Sequence, residues 1–376
     1  MPTLPDFRLE THFSKWEFKA KHHLTASDAH SISLPELLEM ATTQDREAFE
    51  GMWLGYTETF GDPYLREVIA SIYQAQSQET ILCFAGASEG IFAANNVILD
   101  KDSHAIMVTP NYQSHETLPL AICEASAVPL NPDEGWSLDI DQIAAAIRPN
   151  TKLVTINFPH NPTGAILPLE RYMALIALCR KHGIYILHDE IFHGLGTTGT
   201  QHLPAIADVY ERGLSLGVMS KSYGLPGLRV GWIACQDKEI LSQMERMKHY
   251  LSICNSGPSE KLSIIALKNK DRLIARNNAI IDHNLPLWAA FFAKHKALFD
   301  FQKPDGSCMG FAKYKGADGV DAFAERLVEE AGILILPSAI YQSSLNDTPK
   351  DYFRYGYGRA GLEAGLTAFD DYLTSR

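Results

Sequence analysis

The stretch "IYILHDEIFHGLGTTG", residues 184–199, begins as an apolar strand and ends as a glycine-rich loop, and the half that carries the chemistry decides the fold. Gly194-Leu195-Gly196-Thr197-Thr198-Gly199 has the G-x-G-x-x-G spacing of a dinucleotide-binding turn. Such a turn needs its first glycine directly after the strand and a helix opening on the third, so that the helix N-terminus faces the pyrophosphate. Here Asp189, Glu190 and His193 intervene, and Thr200-Gln201-His202-Leu203-Pro204 offers no helix start, so the glycines read as a loop. A zinc reading also fails. An H-E-x-x-H site holds its histidines four apart on one helix face, whereas His188 and His193 are five apart and begin on a strand. No metal site is expected, and what remains is the carboxylate of Asp189 at the end of a buried strand.

Outward from this stretch, short apolar runs alternate with amphipathic segments, the pattern of helices covering both faces of a mostly parallel sheet. The runs are "TILCFAG" (80–86), "HAIMVTP" (104–110), "SAVPL" (126–130), "KLVTINF" (152–158), "IYILHDE" (184–190), "LSLGVMS" (214–220) and "VGWIAC" (230–235). "LERYMALIALCRKHG" (169–183) has helical spacing and a C-terminus of Lys, His and Gly. After about residue 258 the pattern changes to a long helical stretch, isolated strands and a closing helix. The expectation is an α/β protein with a three-layer large domain (46–258), a smaller α+β domain (259–376) and an N-terminal segment (1–45) packed on the small domain or across an interface.

At 376 residues the chain is long enough for two cores, and its net charge of −12 with no dense Lys/Arg stripe argues against nucleic acid. The six cysteines are widely spaced without a C-x-x-C pair, as buried thiols in a reducing compartment would be. No run of 18 apolar residues marks a membrane span, and the N-terminus lacks a basic patch followed by an apolar core. A cytoplasmic protein is expected.

"VMSKSYGLPGLRVGW" (218–232) places Lys221 at the end of another apolar strand, with Arg229 eight residues on. A desolvated lysine amine can lose its proton and form a Schiff base. Pyridoxal phosphate requires such an amine for its aldehyde, an arginine and backbone amides for its phosphate, and a carboxylate beside its ring nitrogen. Together these residues resemble the class I/II aminotransferase family of fold-type-I pyridoxal-phosphate enzymes, with ordered matches from Tyr56 to Arg354. The resemblance implies that Asp189 pairs with the pyridinium nitrogen, Lys221 is the Schiff-base lysine and Arg229 binds the phosphate. Within "FPHNPTG" (158–164) it assigns Asn161 to the phenolic oxygen, and within "AGASEG" (85–90) it assigns the Ala87 and Ser88 amides to the phosphate. Tyr112 in "PNYQ" would stack on the cofactor, Tyr56 in "YTETFGDPYLREVI" would reach the phosphate of a neighbouring subunit, and Arg354 in "FRYGYGR" would grip the substrate α-carboxylate. A homodimer with shared sites follows from the same resemblance.

Two positions and one segment depart from the family's pattern. Phe192 stands where relatives carry a tyrosine, Val218 stands where a Ser or Thr often binds phosphate and leaves Ser220 as the nearby hydroxyl, and "AHSISLPELLEM" (29–40) replaces a glycine-containing substrate segment. The family supports several reactions, because the pocket selects which bond breaks next. "YFRYGYGRAGLEAGLTAFDDYL" and "GILILPSAIY" (332–341) are similar to the capreomycidine and enduracididine synthases, which dehydrate a hydroxylated arginine and close a ring through its guanidine. On that reading the segment 9–31 supplies specificity, with Glu10, Glu17 and Asp28 as carboxylates for a guanidinium and His22 or His23 as proton shuttles. The alternatives are amino transfer to a 2-oxo acid and, in a different class, a binding or regulatory module on the same fold.

Overall fold

The computed structural model describes residues 4–375. Its strands are β1 (His22–His23), β2 (Ile81–Phe84), β3 (His104–Thr109), β4 (Glu124–Pro129), β5 (Thr151–Asn157), β6 (Tyr185–Asp189), β7 (Gly213–Val218), β8 (Gly231–Ala234), β9 (Phe299–Asp300), β10 (Met309–Tyr314), β11 (Ile333–Leu334), β12 (Leu336–Pro337) and β13 (Tyr352–Gly356). All seven apolar runs of the middle region become β2 to β8, in one sheet ordered β2-β8-β7-β6-β5-β3-β4. Only β8 runs against the others, pairing antiparallel with both β7 and β2.

Alternate residues of the parallel strands enter two different cores, as the two-residue period of a strand requires. Ile106, Val154 and Ile186 face Tyr172, Leu175 and Ile176 of the helix Leu169–His182. Met107, Leu153, Leu187 and Leu216 face Ile91 and Ala94 of Ala87–Ile98 and Leu241 and Met244 of Lys238–Lys248. Helices therefore cover both faces, giving the expected three layers. The helix Leu169–His182 stops where Gly183 adopts φ +66, a left-handed cap that glycine takes without a Cβ clash.

A second sheet, ordered β12-β13-β10-β9 and antiparallel, packs against the helices Lys270–Lys294, Val320–Ala331 and Leu362–Thr374. Its core is aromatic, with Trp288, Phe292, Phe299, Phe353 and Phe369 all buried. The long helix Lys270–Lys294 is shared: Leu273 belongs to the apolar cluster around Trp232 and Ile69, whereas Ile281 to Phe292 belong to the aromatic core. From the N-terminus, β1 pairs in parallel with β11 in a separate two-stranded sheet, which ties residues 22–23 to the segment just before β12.

The glycine loop after β6 starts no helix. Its backbone is instead bonded to the long helix, Gly196 N donating to Asn278 Oδ1 (3.1 Å), Asn278 Nδ2 to Gly194 O (2.8 Å) and Thr198 N to Asp282 Oδ1 (3.0 Å). Among the described residues no helix is long and apolar enough to cross a membrane.

Candidate active site

The chemistry-bearing residues gather at the C-terminal ends of the parallel strands, where open α/β sheets hold ligands. Asp189 closes β6, and Lys221 follows β7 by three residues. Asp189 is 2 % exposed, and its Oδ2 lies 2.9 Å from Nε2 of the equally buried His115. The backbone oxygen of Asp189 accepts from Asn157 Nδ2 (2.7 Å), and Asn157 Oδ1 accepts from Asn161 N (2.8 Å). One asparagine at the end of β5 thus fixes Asp189 and Asn161 together. Asn161 Oδ1 in turn accepts from Arg354 Nη1 (3.2 Å) and the Tyr341 hydroxyl (3.4 Å), which leaves its amide nitrogen as the donor available.

Arg354 rises from β13 into a fully buried position. Its Nε donates to Thr25 O (3.1 Å), while Nη2 is buried with no hydrogen-bond partner among the described residues. A buried guanidinium nitrogen without an acceptor is costly unless a ligand supplies one, so Nη2 is a donor that a bound acceptor would satisfy.

At the opposite end, the helix Ala87–Ile98 opens on Gly86 at φ +101 with no side chain capping it, so the first-turn amides of Ala87 and Ser88 are unclaimed by a cap. A Cβ on Gly86 would meet Arg229 Nη2 at 2.5 Å, and one on Gly231 would meet Gly86 C at 2.7 Å and Ala87 N at 2.8 Å. Two glycines thereby bring an arginine and a helix N-terminus to one point, the arrangement an anion needs. Tyr112 bridges this end to Asp189: its ring lies edge-on to His115 at 6.2 Å, and Ser88 and Glu10 flank its hydroxyl. Burial, with Glu10 beside it, pushes the Tyr112 hydroxyl up.

Burial holds the Lys221 amine below the ordinary lysine range, opposed by Asp28 and reinforced by Arg354. The amine donates to Ser27 Oγ at 3.0 Å. An amine, a buried carboxylate, an aromatic ring, and an arginine with free helix amides match in turn the aldehyde, ring nitrogen, ring face and phosphate of pyridoxal phosphate, so the donor set fits that cofactor.

The other expected residues are placed less centrally. Phe192 is fully buried in the aromatic core of the second sheet, and Ser220 is buried near Lys221 in sequence. Tyr56 is 86 % exposed and lines a separate 340 Å³ depression with Trp53 and Glu58. Of the N-terminal group, Glu10 is exposed and its Oε1 accepts from the Tyr112 hydroxyl at 3.4 Å. Glu17 is an electrostatic neighbour of Arg359. Asp28 departs from the role expected for it: both its oxygens accept from Arg359, at 2.8 Å each, which leaves it holding an internal arginine rather than free for a substrate guanidinium. His23 packs on Phe13 at 5.6 Å with both ring nitrogens unpartnered, and burial followed by the charges of Arg359 and Arg354 lowers its pKa to about 4.

Sequence reasoning missed His115, Ser27, Thr25 and Arg359. His115 had a signal, standing three residues after Tyr112 in "NYQSH". Arg359 closes the same "FRYGYGR" stretch that contains Arg354. Ser27 and Thr25 had none, because only charged and imidazole groups of that segment suggested chemistry.

The profile described as "Aminotransferase class I and II" matches residues 27–364, and the chain belongs to that family. Pyridoxal phosphate is accordingly its cofactor, and the protein is an enzyme. Within the family it is similar to capreomycidine synthase of Streptomyces vinaceus, 28% identical over 98% of this chain and 94% of that one. It is also similar to arginine–pyruvate transaminase of Pseudomonas aeruginosa, 31% identical over 47% of each. Among solved structures, a pyridoxal-phosphate-dependent aminotransferase from Streptococcus suis superposes with a TM-score of 0.91 at 24% identity, covering 99% of this chain and 98% of that one. The pyridoxal-phosphate-dependent cyclase OrfR superposes at 0.89 and 24%, covering 100% and 99%. These two likenesses bear on the fold.

Proposed function

We propose that this enzyme removes the Cα proton of a hydroxylated arginine, eliminates its hydroxyl group and closes a ring through the guanidine. The observation that carries this reading is extent. The match to capreomycidine synthase runs over 98% of the chain, whereas those to the probable N-succinyldiaminopimelate aminotransferase of Mycobacterium tuberculosis and the aspartate aminotransferase of Pyrococcus horikoshii cover 82% and 79%.

When bound, pyridoxal phosphate supplies an aldehyde for the substrate amine and a ring that accepts electron density from Cα. The Ala87 and Ser88 amides and Arg229 would hold its phosphate, Tyr112 its ring face and Asn161 its phenolic oxygen. Asp189, oriented by His115, would hold a proton on the ring nitrogen. Arg354 Nη2 takes the substrate carboxylate, an arrangement a lysine reproduces poorly. Lys221 Nζ removes the Cα proton. The γ-hydroxyl then leaves as water, taking up the proton that Lys221 gained, as a base, the regenerated Lys221 amine or His23, takes a Cβ proton. A guanidine nitrogen adds to Cγ of the resulting double bond and loses its own proton, and protons return to Cβ and Cα. Glu10 and Glu17 orient that guanidine.

The subunit is read as half of a homodimer. Trp53, Leu54, Tyr56 and Tyr250 are 80–86 % exposed, and their segments are joined where Thr57 Oγ1 donates to Asn255 O. Such a patch marks an interface, across which Tyr56 would reach the partner's phosphate.

The similarity to arginine–pyruvate transaminase favours amino transfer as a second reading. Mass spectrometry of the holoenzyme with β- and γ-hydroxyarginine in deuterated water, with and without pyruvate, separates the two. Cyclisation predicts loss of water with the amino group retained and no need for pyruvate. Pyruvate-dependent formation of the 2-oxo acid would replace it with transamination.

A further inference from the structure

Residues 24–30, "LTASDAH", form a strap across the site, and three successive hydroxyl or carboxylate side chains in it each meet a different cation. Thr25 accepts from Arg354 Nε, Ser27 from Lys221 Nζ, and Asp28 from Arg359. The strap is held from both sides. Gly356 N donates to Leu24 O (2.8 Å), His30 N to Gly358 O (2.8 Å), and Ala29 N to Lys221 O (3.4 Å). The facing positions are glycines for a steric reason. A Cβ on Gly356 would overlap Ala26 O, one on Gly358 would overlap Asp28 O, and one on Gly224, which has φ +67, would meet His30 O at 3.0 Å. The backbone around Ser27 is therefore fixed relative to both the lysine turn and the exit of β13.

We propose that Ser27 is a positioning residue for Lys221, its hydroxyl oxygen accepting an N–H so that the nitrogen is held in a single direction and its proton is stabilised, in the free amine and in the cofactor-bonded nitrogen alike. An amine on a four-carbon stem has three rotatable donors and no fixed orientation of its own. Parking one N–H on a rigidly mounted oxygen removes that freedom, and the bond strengthens once the nitrogen is cationic. Burial, Arg354 and Arg359 disfavour the charged amine and the carboxylate of Asp28 favours it, and the Ser27 hydroxyl is the neutral group bonded to the nitrogen itself. The proposal rests on Lys221 being the cofactor-binding amine and is independent of which reaction follows.

The test is a pH titration of the visible absorbance of the purified holoenzyme, which needs no substrate. Ser27→Ala should keep the cofactor band and lower its titration midpoint by about one unit, the size of a lost charge-assisted hydrogen bond. Ser27→Thr, which retains the oxygen, should restore the midpoint. Ser27→Cys, close in size with a weak acceptor, should behave like the alanine variant and serves in its place if that variant folds poorly. An alanine or cysteine variant titrating at the wild-type midpoint overturns the proposal, as does a threonine variant that fails to restore it. Lys221→Ala separates the underlying assumption, since loss of covalent cofactor there, with Ser27 variants unshifted, would sink the positioning role and leave the lysine's role standing.

Discussion

The floor and the roof of the site are built differently. On the floor, Asp189, His115 and Asn157 are 2–6 % exposed; Asp189 and Asn157 close β6 and β5, His115 stands in the first turn of the helix Ser114–Ile122, and Asp189 is bonded to the other two at 2.9 and 2.7 Å. On the roof, Glu10 is exposed, Glu17 is partly buried, and His23 has no hydrogen-bond partner for either nitrogen among the described residues. Groups mounted on packed strands and helices are fixed by the core, whereas groups on the short N-terminal helix and the two-residue strand β1 are fixed by a few contacts each. The floor suits a cofactor that stays, and the roof suits a substrate that comes and goes.

The largest effect should come from the floor. Lys221→Ala removes the base and the covalent anchor, so turnover should fall roughly 10⁴-fold, the upper range for general acid–base catalysis, with loss of the visible cofactor band. Turnover within 10-fold of wild type in stopped-flow assays would make the floor dispensable and reverse the contrast.

His115→Phe keeps an aromatic ring but takes the hydrogen bond from Asp189 Oδ2. Orienting partners of this kind typically cost about 10–100-fold when removed, so kcat should drop about tenfold and cofactor release should quicken. A change in KM alone would mean that His115 serves the substrate and not the floor.

Legibility in the sequence follows the same division. Asp189 and Lys221 stood out in the sequence because each follows an apolar strand, where local spacing fixes which way a residue can face, whereas Asn161 and Arg229 were named only through the family resemblance. The seven strands were readable because parallel strands buried on both faces are continuous apolar runs. His115 is 74 residues from Asp189, and Ser27 is 194 from Lys221. No local period encodes such pairings. The charge of Asp28 was legible, but Arg359, 331 residues away, decides its partner. The glycine loop illustrates the reverse: its spacing was conspicuous, yet Asn278 and Asp282 determine its course.

On the roof the effects should be smaller and selective. Glu10→Ala and Glu17→Ala should each raise KM for γ-hydroxyarginine a few-fold, the value of a solvent-exposed ion pair at about 0.2–1 kcal/mol. Cα-hydrogen exchange of an amino acid lacking a guanidine should not change. Equal losses on both substrates would show that the helix Arg8–Trp16 acts through folding and not recognition.

The smallest effect is on stability and depends on pH. His23 has a folded-state pKa of about 4 against an ordinary 6.5, because burial and two arginines disfavour its cation. The unfolded chain therefore binds the extra proton, and stability is lost as pH falls from about 6.5 towards 4. At pH 5 the deficit is about 2 kcal/mol on 1.4 kcal/mol per unit. His23→Phe, facing Phe13, removes the titrating group, so its melting temperature should fall less between pH 7.5 and pH 5 than that of wild type, by a few degrees. Equal falls in calorimetry would show that His23 is solvated at acid pH, and that the roof is looser than its packing on Phe13 implies.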